Sequence, residues 1–149
     1  MIVVGGEALV DLVPDPGVGG VEAALHPHWG GGPFNTAIAL GRLQAPVRFL
    51  SRMSQDPYGE AMLQRLYESG VDTGLVQRGP EQTSLAVVSL TPEGSARYGF
   101  YFGGTADRLV ADPGPLPSDT AAVALGTCSL ALEPGASVYE RILLREAAA

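Results

Sequence analysis

The sequence contains no lysine, and all nine of its basic residues are arginine. That absence excludes a phosphate loop of the G-x-x-x-x-G-K type and any chemistry running through a lysine Schiff base. Cysteine is nearly as scarce: Cys128 stands alone, so no internal disulfide forms. With only His26 and His28 besides, no Cys/His set has metal-ligand spacing, and no metal site is expected. Beside Leu125 and Leu130, Cys128 reads as a small buried apolar residue. No uncharged apolar run approaches the roughly 20 residues of a membrane span, and Glu7 and Asp11 interrupt the apolar opening, so neither a membrane partner nor a signal peptide is expected. The expected location is cytoplasmic. Positive charge is also short. Nine arginines face sixteen carboxylates for a net charge of −7, and Arg42, Arg48, Arg52, Arg65 and Arg78 are scattered singly, which argues against nucleic acid as a partner.

What is present fits one globular domain: 149 residues, 46% apolar and 17% charged. Twenty glycines and twelve prolines predict many turns. Residues 1–13 read as one buried strand stopped by the turn cluster Pro14, Asp15, Pro16 and Gly17, and residues 21–28 as a short exposed strand. Pro33 suits the first turn of a helix carrying Ile38, Leu40 and Leu43 and ended by Pro46. Residues 47–52 form a second core strand. Pro57 opens a second helix with Met62, Leu63, Leu66 and Tyr67 at helical spacing, stopped by Gly70. Residues 83–91 and 96–102, linked by Pro92, Glu93, Gly94 and Ser95, read as a hairpin. Its second arm sets Tyr98, Phe100 and Phe102 on one face, because side chains alternate along a strand. That face either buries itself on its own domain or serves as a lid or dimer contact. Residues 121–126 form a third core strand, followed by a helix over 133–145 with Val138, Ile142 and Leu143 on one side. Alternating strands and helices with short links imply βαβ units on a parallel sheet.

The most specific local feature is Gly30, Gly31, Gly32, Pro33, Phe34 and Asn35. Consecutive glycines admit a ligand close to the backbone, the helix start presents free N–H groups, and Asn35 offers both a donor and an acceptor. The bland alternative is a tight strand-to-helix turn with Asn35 as a local cap. Asp11, at the end of the first strand, is the natural companion, because a carboxylate beyond the carboxyl end of a parallel strand accepts sugar hydroxyls; taken alone it also reads as a solvated strand-end acid. Gly5 and Gly6 lack the full G-x-G-x-x-G spacing, so a dinucleotide site is disfavoured. Trp29 beside the glycines either stacks on a sugar ring or covers the turn, and His26 and His28, two apart on a strand-like stretch, read as surface residues.

Taken together, the opening Gly6-Glu7-Ala8-Leu9-Val10-Asp11, the run from Gly31 through Pro33 and Asn35 to Ala37, the segment from Leu50 through Arg52, Asp56 and Pro57 to Gly59, the hairpin, and Gly104-Thr105-Ala106-Asp107 resemble the amino-terminal half of a PfkB (ribokinase-like) carbohydrate kinase of fructokinase type. Gln44 and Ser54 depart from the family pattern, where a small residue and a glycine are usual. The resemblance implies an α/β, partial Rossmann-like three-layer sandwich with a parallel sheet plus a small antiparallel β lid, built from elements at about residues 12–30 and 83–103. It implies ATP-dependent phosphorylation of a sugar hydroxyl, with Asp11, Gly31, Gly32 and Asn35 as sugar-binding residues and Phe100 and Phe102 on the lid. The family's GAGD motif and most adenine contacts fall in its carboxyl-terminal half, and GAGD does not occur here. ATP and Mg2+ are therefore expected only for the complete family enzyme; no catalytic, cofactor or metal residue is expected in these 149, and the chain alone is expected to be inactive. Expected partners are a small-molecule sugar and either a second copy docked through the lid or the missing carboxyl-terminal half. A stand-alone sugar-binding or regulatory and dimerisation module without catalysis is the alternative reading.

Overall fold

The computed structural model describes residues 1–15, 22–91 and 95–148. In chain order the elements are β1 (Ile2–Gly6), β2 (Leu9–Pro14), β3 (Leu25–Gly30), α1 (Gly32–Arg42), β4 (Val47–Ser54), α2 (Pro57–Glu68), β5 (Asp72–Gly79), β6 (Ser84–Leu90), β7 (Ala96–Tyr101), β8 (Ala122–Gly126) and α3 (Gly135–Ala147). Short 3-10 turns sit at Ala106–Leu109 and Cys128–Leu130. The turn residues Pro16 and Gly17, Val21, and Pro92, Glu93 and Gly94 of the hairpin link lie outside the described residues.

Two four-stranded sheets result. The first, in the order β5-β4-β1-β8, is parallel throughout; the second runs β3-β2-β6-β7. Alternation along β1 sends successive valines to opposite faces of the first sheet. Val4 packs with Phe34, Ala37 and Ile38 of α1 and Met62 and Leu66 of α2, while Val3 packs with Val138, Tyr139 and Ile142 of α3. The three layers follow from that alternation.

Local chemistry fixes the helix starts. Pro33 occupies the first turn of α1, where its missing N–H is no loss, and Phe34, Ala37, Ile38 and Gly41 bury one stripe. Asp56 caps α2 by accepting from Gly59 N at 2.8 Å, and it also takes Thr83 N and Oγ1, both at 2.8 Å, tying α2 to the approach to β6. Burial would raise the Asp56 carboxyl, but these hydrogen bonds prevail and hold it below the ordinary carboxylate range.

Several expectations are corrected. The opening 13 residues are two strands in different sheets, because the chain leaves the first ladder at Glu7 and Ala8 and crosses to the second, so Asp11 lies within β2 of the second sheet and not at the carboxyl end of the first parallel strand. The parallel sheet has four strands, not three: β5, a half-buried edge strand whose register shifts between Arg48 and Leu50, has too few apolar residues to announce itself. The second sheet is antiparallel only in its outer pairs, since β2 and β6 run parallel. On α3 the buried residue beside Val138 and Ile142 is Tyr139, whereas Leu143 is exposed; on α2 Tyr67 is exposed. Cys128 is half-buried instead of buried, and Leu130 beside it is exposed. No helix among the described residues is long and apolar enough to cross a membrane.

Candidate functional site

The first and second sheets meet where β1 hands over to β2 and where β3 hands over to α1. Glu7 sits at that junction, only 1% exposed. Its carboxylate accepts from four donors: Thr127 N (3.0 Å), Thr127 Oγ1, Ser129 N (3.1 Å) and Ser129 Oγ (2.7 Å). Burial alone would push the carboxyl up, but the hydrogen bonds from Thr127 and Ser129 outweigh it and hold it at about 2. The network continues. Arg108 Nη2 donates to Ser129 Oγ at 2.8 Å and approaches Asp107 Oδ2 at 3.4 Å, and Asp107 accepts from Thr105 Oγ1 (3.1 Å) and from Ser84 Oγ on β6. Burial pushes the Asp107 carboxyl up against the opposing pull of Arg108. The Arg108 guanidinium also lies 5.4 Å from the Phe102 ring centre, while its Nε and Nη1 find no partner among the described residues. One polar chain thus runs from the carboxyl end of β8 to the second sheet.

The glycine run rests on this network. Gly31 has φ +101°, a conformation that only glycine adopts freely, and a Cβ there would stand 2.5 Å from the Glu7 carbonyl oxygen. At Gly32 a Cβ would meet Thr127 Oγ1 at 3.2 Å. Gly30 lies directly against Asp11, whose Oδ2 occupies the space a Cβ would take.

Asp11 itself is half-buried and makes no hydrogen bond with the described residues. Burial raises its carboxyl above the ordinary range, with His28 pulling the other way. Register explains the neighbours. Asp11 is paired with His28 on β3 and with Ala86 on β6, and Ala86 with Phe100 on β7, so these four side chains share one face of the second sheet. Tyr98, Phe100 and Phe102 stack along that face with ring centres 5.9 and 4.9 Å apart, as the alternation predicts. Asn35, exposed in the first turn of α1, donates its backbone N–H to Gly31 O at 3.0 Å and lines a groove with His28 and Trp29; its side chain makes no capping bond among the described residues.

The structure therefore brings Asp11, Gly31, Gly32 and Asn35 to one sheet junction and sets Phe100 and Phe102 on the Asp11 face. Sequence reading missed Glu7, Thr127, Ser129, Arg108 and Asp107 as a set. Glu7 and Asp107 stood inside motifs that carry the family resemblance, and Glu7 also stood out as a charge inside an apolar run, but neither was given a structural role. Two polar side chains without a hydrogen bond among the described residues, Asp11 an acceptor and Asn35 both donor and acceptor, suit a ligand with several hydroxyls. Among the described residues no group of three or more His, Cys, Asp or Glu could hold a metal ion.

A parallel α/β core with a four-stranded accessory sheet over the carboxyl ends of its strands defines the ribokinase-like class of fold. The chain belongs to the pfkB family carbohydrate kinases, whose pattern matches residues 1–141. It is 42% identical to a fructokinase of Rhizobium leguminosarum bv. trifolii over 151 aligned positions, covering 99% of this chain and 45% of that protein. The crystal structure of a fructokinase from Xylella fastidiosa superposes with a TM-score of 0.87 at 30% identity, over 99% of this chain and 47% of that one. A structure of fructokinase with bound ATP from the same organism superposes with a TM-score of 0.81 at 28% identity, over 99% and 48%. The chain spans about half the length of the relatives it matches.

Proposed function

We propose that the chain is the sugar-binding portion of an ATP-dependent sugar kinase of fructokinase type, which transfers a phosphoryl group to a sugar hydroxyl. The observation that carries this reading is the free Asp11 carboxylate, held against Gly30 on the face that bears the aromatic stack. Asp11 accepts sugar hydroxyls, the backbone at Gly31 and Gly32 admits the ring closely, and Asn35 completes the polar contacts. The second sheet serves as a lid, with Phe100 and Phe102 covering the apolar side of the sugar and excluding water. ATP with Mg2+ supplies the phosphoryl group in the complete protein. GAGD is not among the 149 residues, so in this reading the chain by itself binds sugar without turning it over.

Calorimetric titration with fructose, ribose and 2-keto-3-deoxygluconate tests the reading. Binding of fructose, lost in Asp11→Asn, is the expected result; a folded chain that binds none of the three overturns it. Sugar-dependent turnover in a coupled ATPase assay overturns the inactivity. A free-standing sugar-binding or regulatory module that dimerises through the lid is the second reading, favoured by the exposed Tyr98 and Tyr101 on the edge strand β7. Sedimentation separates the two, since such a module would form a stable dimer.

A further inference from the structure

Five of the nine arginines form ion pairs within the fold: Arg48 with Asp72, Arg52 with Glu81, Arg78 with Glu60, Arg108 with Asp107 and Arg145 with Asp112. Of those that form none among the described residues, Arg42 and Arg65 stand together in one groove. Neither has a carboxylate at ion-pair distance among the described residues, although Arg65 is half-buried and Glu68 lies one helical turn away; that acid accepts from Gln64 Nε2 instead, at 3.0 Å. Both arginines line one groove of 410 Å³ between α1, α2 and the end of β3, with His28, Trp29, Asn35 and Ile38. No carboxylate lines this groove, and α1 carries no acidic residue at all. In a chain of net charge −7, an acid-free groove with two unpaired guanidinium groups is a local inversion of the protein's field.

We propose that this groove is a second binding site, taking the phosphate monoester of a sugar or nucleoside, distinct from the carboxylate site at Asp11. Guanidinium forks match phosphate oxygens, and two of them compensate a dianion. Asn35 and Arg42 are seven residues apart on one helix, so the groove runs about 10 Å, which fits a phosphate at the arginine end and a hydroxylated ring at the Asn35 end. Trp29, partly buried against the core, and Ile38, 6% exposed, supply the apolar wall for that ring. The inference does not depend on the kinase reading. The two sites adjoin at His28, which pairs with Asp11 and lines the groove, and at Asn35.

Trp29 is the only tryptophan, so its emission reports the groove directly. The 149-residue chain is titrated at low ionic strength with inorganic phosphate, a hexose 6-phosphate and AMP. A saturable change with at least one ester, tighter than with inorganic phosphate, is expected, and the tighter ester assigns the source. Arg42→Gln and Arg65→Gln each weaken it by about tenfold or more, as loss of a charge-assisted hydrogen bond should. Both variants keep the wild-type circular dichroism and fructose affinity, while Asp11→Asn keeps the anion affinity. No saturable response to any of the three, or an unchanged affinity in the folded double arginine variant, overturns the site. Loss of anion binding in Asp11→Asn overturns its independence and leaves the sugar reading standing.

Discussion

Glu7 and Asp11 lie four residues apart in one apolar stretch, and both are carboxylates withheld in part from water. Glu7 is filled by four donors from residues more than a hundred positions away, so its hydrogen bonds overcome burial and its carboxyl falls to about 2. Asp11 has no donor among the described residues, so burial prevails and its carboxyl rises. A carboxylate with filled acceptors is part of the scaffold; one with empty acceptors in a protected position is stabilised only when a ligand arrives. The region around Glu7 ties the two sheets together, and the region around Asp11 is the one we propose for binding.

The largest effect that would break this comparison is at Glu7. Glu7→Ala leaves four donors facing a void and is expected to cost roughly 3 to 4 kcal/mol, read from urea unfolding by circular dichroism; a loss below about 1 kcal/mol would remove the distinction. The same residue sets a pH dependence. Its folded value of about 2 lies below the ordinary 4.5, so its contribution is complete above pH 4.5 and is lost as pH falls toward 2, an amount on the order of 3 kcal/mol. Glu7→Gln should flatten that acid limb of the stability curve. Gly31→Ala, which forces a side chain into φ +101° against the Glu7 carbonyl, is expected to cost roughly 2 kcal/mol by thermal denaturation.

Asp11→Asn should do the reverse of Glu7→Ala. A raised folded value means that the ionised carboxylate is disfavoured at neutral pH, so stability is unchanged or slightly higher, while fructose affinity falls by about tenfold or more in calorimetry. A large stability loss in that variant would make Asp11 a second Glu7. The smallest effect is at the lid. Phe100 is 51% exposed and stacks on both Tyr98 and Phe102, so Phe100→Ala should weaken fructose about threefold with little change in melting temperature.

Much of the scaffold was legible because its signals are local. Pro33 and Pro57 open α1 and α2, Gly70 follows the end of α2, and the apolar run at 47–52 marks β4. The aromatic alternation at Tyr98, Phe100 and Phe102 placed three rings on one face, where the structure stacks them. β5 was illegible because an edge strand buries little and so needs little apolar patterning. The division of the first 13 residues was hidden for another reason: both halves are apolar, and periodicity cannot tell one long strand from two that enter different sheets. The glycines, Asp11 and Asn35 were proposed as a site from residue type and order, whereas the hydrogen-bond partners of Glu7, 120 and more positions away, could not be read locally.

By itself the sequence determined the punctuation of the chain, the order of its motifs and hence its family, because these depend on side-chain type and short spacings. Only the tertiary structure decided which carboxylate is spent and which is free. It set β2 parallel to β6, which puts Phe100 on the face of Asp11, and it brought Thr127 and Ser129 to Glu7 from across the sheet. Those pairings follow from how two sheets register when their apolar faces are buried, a condition no local stretch of sequence contains.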